Sequence, residues 1–450
     1  ITAPWLFENL WRDCGGRLSD DVELKPNTPF YRVRFDDGTV FDYSGDRAAM
    51  EDQIARIEPR DIAGYRSFLN ESRRIYEVAF EQLAHKPFHS LLFTAKTLAR
   101  LVRLGGYRSV YSVVSKHFRS NKLRTLFSFH PLLIGGNPFS ATSFYCLIAH
   151  LEGKYGVHHA VGGTNALVRG IASLVTRNGG RIRLNETVTE IETDGRMATG
   201  VRLLSGERIA ADIVISNSDP ATTYGHLLKD HPRRRWTDAK LARGDYSMSL
   251  FVWYFGTDRR YDDVLHHTML FGPRYRGLLD DIFKNHRLAD DFSLYLHRPT
   301  ASDPTLAPPG CDAFYVLSPV PNLTSDTDWT KTAEHYRSKI SKRLEETVLP
   351  DLSRHIVTSR IATPVDFRDR LLSWQGAAYA LEPKLFQSAW FRPHNKSEEL
   401  DNLFLCGAGT HPGAGLPGVV SSARIVADLV PAPADVLARS WERKGRIVKP

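Results

Sequence analysis

Gly407-Ala408-Gly409-Thr410-His411-Pro412-Gly413-Ala414-Gly415-Leu416-Pro417-Gly418 decides the fold. Five glycines and two prolines fall within these twelve residues. An apolar run, Leu403-Phe404-Leu405-Cys406, comes before, and a helical pattern opens near Val419. A strand, a glycine-rich turn and a helix in that order let backbone approach a ligand closely. No Cβ is in the way, and the helix N-terminus offers free N–H groups and a partial positive charge. A bare strand-to-helix turn needs far fewer glycines.

The same layering recurs upstream. Gly162-Gly163-Thr164 precedes a helical run from Asn165 to Arg177, closed by Gly179-Gly180. Short strands are predicted next, at Arg181 to Leu184, Val188 to Glu192, Thr199 to Leu204 and Arg208 to Ala210, with turns at Asp194-Gly195 and Ser205-Gly206. A buried strand, Ile213-Val214-Ile215-Ser216, ends the segment. Helix, strands and buried strand belong to an α/β layered domain. Leu250 to Phe255 and Ala313 to Leu317 read as aromatic-rich strands of a second mixed layer, with a helix from Glu334 to Thr347.

In the N-terminal third, Phe30 to Phe35 and Thr39 to Tyr43 alternate around Asp37-Gly38, which predicts a hairpin. A helical pattern follows from Arg47 to about Leu83. Residues 86–119 then form a basic amphipathic stretch, with Lys96, Arg100, Arg103, Arg108, Lys116 and Arg119 among leucines, the pattern of a helix lying in a membrane interface. A surface helix with a solvated charged face has the same composition. Residues 125–151 carry no charged side chain apart from histidine, yet contain Pro131, Gly135, Gly136 and Pro138. Those breakers exclude a spanning helix and leave a buried core segment or the wall of an apolar cavity.

Composition sets the outer bounds. The 450 residues are 42% apolar and 24% charged, which excludes a disordered or fibrous chain, and the net charge of +8 suits an anionic partner without choosing one. Four cysteines, far apart, predict neither disulfides nor a zinc site, and point to a reducing compartment. His158-His159 and His266-His267 lack metal-ligand spacing, so no metal is expected. Arg233-Arg234-Arg235 reads as a solvated cluster outside any nucleic-acid module. Asp280-Asp281 and Asp290-Asp291 diverge as neighbours do and form no catalytic dyad.

Residues 402–419, with Phe391-Arg392-Pro393-His394-Asn395, Gly135-Gly136-Asn137-Pro138-Phe139, Pro364-Val365-Asp366-Phe367 and the Gly162-Gly163 segment, resemble the bacterial phytoene desaturase family. The resemblance runs from about Ile1 to Leu429, and Thr410-His411-Pro412-Gly413 is its most specific block. It implies an α/β FAD/NAD(P)-binding flavoprotein fold with a mixed α+β substrate domain and a helical, membrane-associating region. The family opens with a G-x-G-x-x-G fingerprint, absent here, and the sequence starts at Ile1-Thr2-Ala3-Pro4 without Met. The expectation is a truncated Rossmann-like domain lacking its first βαβ unit, the seat of the ADP half of FAD.

On this reading residues 1–25, 151–244 and 361–430 belong to the FAD domain, residues 26–150 and 245–360 to the substrate domain, and residues 431–450 to an appendage. The resemblance implies FAD as cofactor, held at Gly407, Gly409, Thr410, His411, Pro412, Gly413, Gly415, Pro417, Gly418 and Val419, with Val188 against the adenine. Phe127, Phe129, Leu132, Leu133, Phe139 and Phe144 are the apolar material for a long polyene. A hydrocarbon can be bound only by burial, about 0.8 kcal/mol per CH₂. The expected reaction is carotene desaturation, hydride loss plus proton loss, by a cytoplasmic enzyme peripheral to the membrane. No catalytic residue is assigned; His130 and His411 are the proton acceptors considered, and oxygen or quinone the terminal acceptors. A carotenoid isomerase and a non-catalytic carotenoid-binding fragment stay open as alternatives.

Overall fold

A computed structural model describes residues 1–436. The chain divides into two compact units, each assembled from three stretches. The first unit takes residues 1–80, 102–182 and 246–385.

Its centre is a seven-stranded sheet in the order Ile356–Ala362, Ser249–Thr257, Asp312–Val320, Leu294–His297, His267–Leu270, Tyr31–Arg34, Val40–Tyr43. Only the pairing of His267–Leu270 with Tyr31–Arg34 is parallel, with Thr268 opposite Arg32. Alternation along Ser249–Thr257 explains why the sheet is covered on both sides, because successive side chains leave a strand on opposite faces. Phe251, Trp253 and Phe255 join Phe314, Val316 and the Tyr336, Ile340 and Leu344 ridge of helix Trp329–Thr347. Leu250 and Val252, on the other face, meet Leu278, Leu279 and Ile282 of helix Tyr275–Phe283.

The hairpin forms as expected, Tyr31 opposite Tyr43, with Gly38 at φ +85° in the turn. The helical run after it is broken: Arg47–Ile57 stops before Pro59, and Asp61–Ile75 begins afresh. Asp61, Tyr65, Phe68, Ser72 and Ile75 are that second helix's buried stripe, at steps of three and four. Asp61 is itself buried because its carboxylate accepts the backbone N–H groups of Arg119 and Ser120, both at 2.9 Å.

The second unit comprises residues 81–101, 183–245 and the chain from 386 onward. Val188–Asp194, Met197–Leu203 and Arg208–Ala210 make an antiparallel sheet. Val214–Ser216 pairs in parallel with Leu403–Leu405, Val214 facing Leu403. Asn402 joins the two sheets: its side chain donates to the Asp212 carbonyl at 2.6 Å and binds the Ala198 backbone through both amide atoms at 2.8 Å.

The expected strand at 181–184 does not form. These four residues are exposed, Leu184 at 77%, and no backbone ladder supports them. Alternation alone does not make a strand without a partner. The basic stretch becomes two helices, Leu91–Arg103 and Val110–His117. Among the described residues no helix is long and apolar enough to cross a membrane. All four cysteines are unbonded.

Candidate cofactor site

The glycine-rich turn links strand Leu403–Leu405 to helix Leu416–Leu429 within the second unit. The strand continues for one more bond, Cys406 N–H to the Ser216 carbonyl at 3.0 Å, and the chain then leaves the sheet. Gly407 N–H donates to Ser422 Oγ at 2.8 Å, and that hydroxyl donates to the Val419 carbonyl at 2.7 Å. The start of the turn is thus fastened to the helix that ends it.

Three of its glycines have left-handed backbone, Gly407 at φ +101°, Gly413 at +132° and Gly415 at +91°. Gly418 is needed for space: a Cβ there would lie 2.4 Å from the Gly413 carbonyl oxygen. Gly409 is buried but is not among the left-handed positions. Gly415 caps the helix with no side-chain hydrogen bond, and no acidic residue stands in the first turn. The N-terminal N–H groups and their positive end are left for an outside acceptor.

Two side chains from the segment 391–395, to which sequence alone assigns no role, hold the turn. Asn395, 3% exposed, donates through Nδ2 to the His411 carbonyl at 3.0 Å and lies 3.3 Å from both the Leu405 carbonyl and Thr410 Oγ1. Arg392, 2% exposed, donates to the Ala408 carbonyl at 2.9 Å and the Gln387 carbonyl at 3.2 Å. Asn217, whose Oδ1 lies against Gly407, and Ser422 carry no signal of their own in the sequence. The available signal was four polar or constrained residues, Arg392-Pro393-His394-Asn395, just ahead of a buried strand.

Thr410 is fully buried and donates to the Gly407 carbonyl at 3.1 Å. His411 is buried against Phe88, ring centroids 4.7 Å apart, with Nε2 3.5 Å from the Leu83 carbonyl. Burial lowers its pKa from the usual 6.5 to about 4, so it is neutral at physiological pH. Its Nδ1 is buried without a hydrogen-bond partner. Val188 is half-buried at the start of its strand in the same unit.

These residues fit a flavin cofactor. The cradle is backbone, shaped by left-handed Gly407, Gly413 and Gly415 and by Gly418, where no Cβ fits, and it ends in a helix N-terminus without a side-chain cap, suited to a carbonyl or phosphate oxygen. Gly413, Gly415, Leu416 and Gly418 are the positions that would hold it.

The apolar residues proposed to receive substrate lie in the first unit. Phe127 and Phe129 are buried in its core, Phe127 stacked on Phe118 at 4.6 Å. Leu132 and Phe139 are half-buried, and Leu133 is 38% exposed. The Phe144 ring fills the space beside Gly106, where a Cβ would meet it at 2.2 Å. His130 sits in the same core, 3.3 Å from the Glu152 carboxylate, which also accepts the Tyr31 hydroxyl.

Comparison with known proteins gives the family. Residues 7–431 match the flavin containing amine oxidoreductase family. A neurosporene-forming phytoene desaturase of Cereibacter sphaeroides is 47% identical over 436 residues, 96% of this chain and 84% of that protein. A lycopene-forming phytoene desaturase of Pantoea ananas is 46% identical over 431 residues, 96% of this chain and 88% of its own. Among solved structures, an oxidoreductase from Methanosarcina mazei has a TM-score of 0.56 at 15% identity, covering 92% of this chain and 83% of that one. Putrescine oxidase bound to putrescine has a TM-score of 0.57 at 13% identity, covering 94% and 85%. The structural likenesses show the fold.

Proposed function

The chain belongs to the bacterial phytoene desaturase family, within the flavin containing amine oxidoreductases, and from that premise we infer that it is an FAD-dependent oxidoreductase that introduces double bonds into a carotene. The observation that carries the reading is the turn at 407–418, a backbone cradle ending in an uncapped helix N-terminus. Bound FAD supplies a two-electron oxidant for a C–H bond. The chain's own contribution is to hold and orient. Asn395 and Arg392 hold the His411 and Ala408 carbonyls and so fix the backbone shape of the turn. His411 stays neutral beside it. The substrate is a polyene hydrocarbon, which offers no hydrogen bonds and is bound by apolar burial alone.

The test is incubation of the FAD-loaded protein with phytoene, followed by mass spectrometry of the extracted carotenoids. Each desaturation removes two hydrogens, whereas isomerisation leaves the mass unchanged. Products of unchanged mass would overturn the reading.

The protein is further proposed to work at a membrane surface. Residues 82–151 contain no Asp or Glu but nine Lys or Arg. On helix Leu91–Arg103, exposed Leu92, Lys96, Arg100 and Arg103 follow one another at steps of four, four and three, along one face. An apolar residue among cations is the composition of an interfacial helix facing anionic lipid.

A further inference from the structure

We propose that His266, His267 and His297 bind one transition-metal ion of the class that prefers imidazole, zinc foremost. In the sequence only His266 and His267 stand together. The fold adds His297, because the strands His267–Leu270 and Leu294–His297 pair antiparallel with His267 opposite His297. His266 lies just ahead of its strand, outside the alternation that would send it to the other face. One ring nitrogen from each of the three histidines lies within 4.8 Å of the other two.

The closest pair is His266 Nε2 and His297 Nε2, 3.0 Å apart. Tetrahedral zinc with Zn–N bonds of about 2.0–2.1 Å sets its nitrogens roughly 3.3 Å apart. That edge is therefore nearly formed. The third ring closes by rotation about χ2, a soft torsion.

Each of two ligands already has an outer partner on its other nitrogen, as metal-bound histidines do. His266 Nδ1 is 2.8 Å from Ser302 Oγ, and His267 Nδ1 is 2.6 Å from the Tyr295 hydroxyl. His267 therefore has Nε2 to offer, now in a long 3.2 Å contact with the Asn27 amide nitrogen.

A fourth imidazole points to the same conclusion. His159 lies 4.9 Å from His266, ring centroid to centroid. Its Nδ1–H donates to Asn27 Oδ1 at 2.6 Å, so Nε2 carries a bare lone pair, buried without a partner. A buried acceptor with no donor is costly in a folded protein, and a cation satisfies it. The strand His158–Ala160 pairs with Leu24–Pro26 and not with the seven-stranded sheet. An ion reached by His159 as well would tie those two sheets of the first unit together.

The experiment uses the full chain, equilibrated with excess zinc, freed of unbound metal and analysed by elemental mass spectrometry. Cobalt(II) is then titrated into metal-free protein. The expected result is one zinc per chain, a visible d–d band of a low-coordinate cobalt site, and a higher melting midpoint with zinc. His266→Gln combined with His297→Gln should abolish stoichiometric metal while leaving the metal-free midpoint close to the parent's. His355→Gln, a half-exposed histidine paired with Asp258, should change neither. Should the double variant fail to fold, the unmodified chain still decides: substoichiometric zinc with no cobalt band overturns the proposal. Full metal retention in a folded double variant overturns it too. Neither readout depends on flavin or carotene.

Discussion

Asn395 and His411 are sixteen residues apart in the chain, and the Asn395 side-chain amide donates to the His411 carbonyl at 3.0 Å. The bond reaches into the middle of the glycine-rich turn from outside it. The conformation of the turn therefore depends on a residue that lies before the strand as well as on its own glycines.

Asn395→Asp replaces that donor with a carboxylate facing the Leu405 and His411 carbonyls. An unsatisfied buried polar group costs about 1–3 kcal/mol, and more when charged. The expected outcome is a lower melting midpoint together with a reduced flavin-to-protein ratio, both read on the same samples. A variant that keeps full flavin would mean that the turn holds its shape without Asn395.

Gly407→Ala separates two kinds of constraint. The added Cβ would lie 2.3 Å from Asn217 Oδ1, and φ is +101°. Asn217 is exposed and can move, so Asn217→Ala in the same chain relieves the contact but not the backbone. Left-handed strain at a non-glycine residue costs on the order of 1–3 kcal/mol. The double variant should recover only a small part of the loss in thermal stability; full recovery would make the clash the whole effect.

Acid should destabilise the flavin-free protein in a defined window through His411. Burial holds its folded pKa near 4, against the usual 6.5. Its contribution is fully present above pH 6.5, where neither state is protonated. As the pH falls from 6.5 toward 4, the unfolded chain takes up a proton that the folded chain refuses, and stability is lost. His411→Gln should show a shallower fall in melting midpoint across that window. Parallel curves for the two proteins would remove His411 from the titration.

Trp253 is fully buried in the seven-stranded sheet, and its Nε1–H donates to Ser359 Oγ at 2.8 Å. Trp253→Ala should destabilise by about 3–5 kcal/mol in denaturant unfolding, through lost burial and the cavity left behind. Ser359→Ala removes only the hydrogen-bond partner and should cost about 1–3 kcal/mol.

Vesicle binding tests the basic helix. Lys96→Ala with Arg100→Ala should weaken partitioning onto anionic liposomes roughly thirtyfold, at about 1 kcal/mol per cation near the surface. Salt should weaken the parent likewise, since the Debye length is only about 8 Å at physiological ionic strength. Binding indifferent to salt and lipid charge would exclude the electrostatic mechanism.

What could be read in the sequence was what short-range chemistry encodes. The hairpin around Asp37-Gly38, the helix after Gly162-Gly163 and the turn at 407–418 all form where expected, because glycine placement and local periodicity specify them. Residues 181–184 alternate just as convincingly and stay unpaired, since a strand is defined by a partner that local pattern does not name. The reach of Asn395 and Arg392 into the turn, and of His297 toward His266, is set by tertiary register. The cluster at residues 392–395 is visible as composition ahead of a buried strand, but spacing along the chain does not say what it reaches.

The parallel pair Val214–Ser216 and Leu403–Leu405 also bears on the order of assembly during synthesis. Asn402, which joins that pair to the neighbouring sheet at Ala198, also donates to the Asp212 carbonyl 190 residues upstream. Closing so long a loop is slow compared with forming a hairpin such as Tyr31 against Tyr43. At roughly 5–20 residues per second on the ribosome, the intervening chain takes about ten seconds or more to emerge. Meanwhile Val214–Ser216 waits with an open edge. The unit carrying the glycine-rich turn is therefore completed late, by residues far downstream of Val214, and a nascent protein stalled before residue 403 would have the hairpin but neither the parallel pair nor the turn.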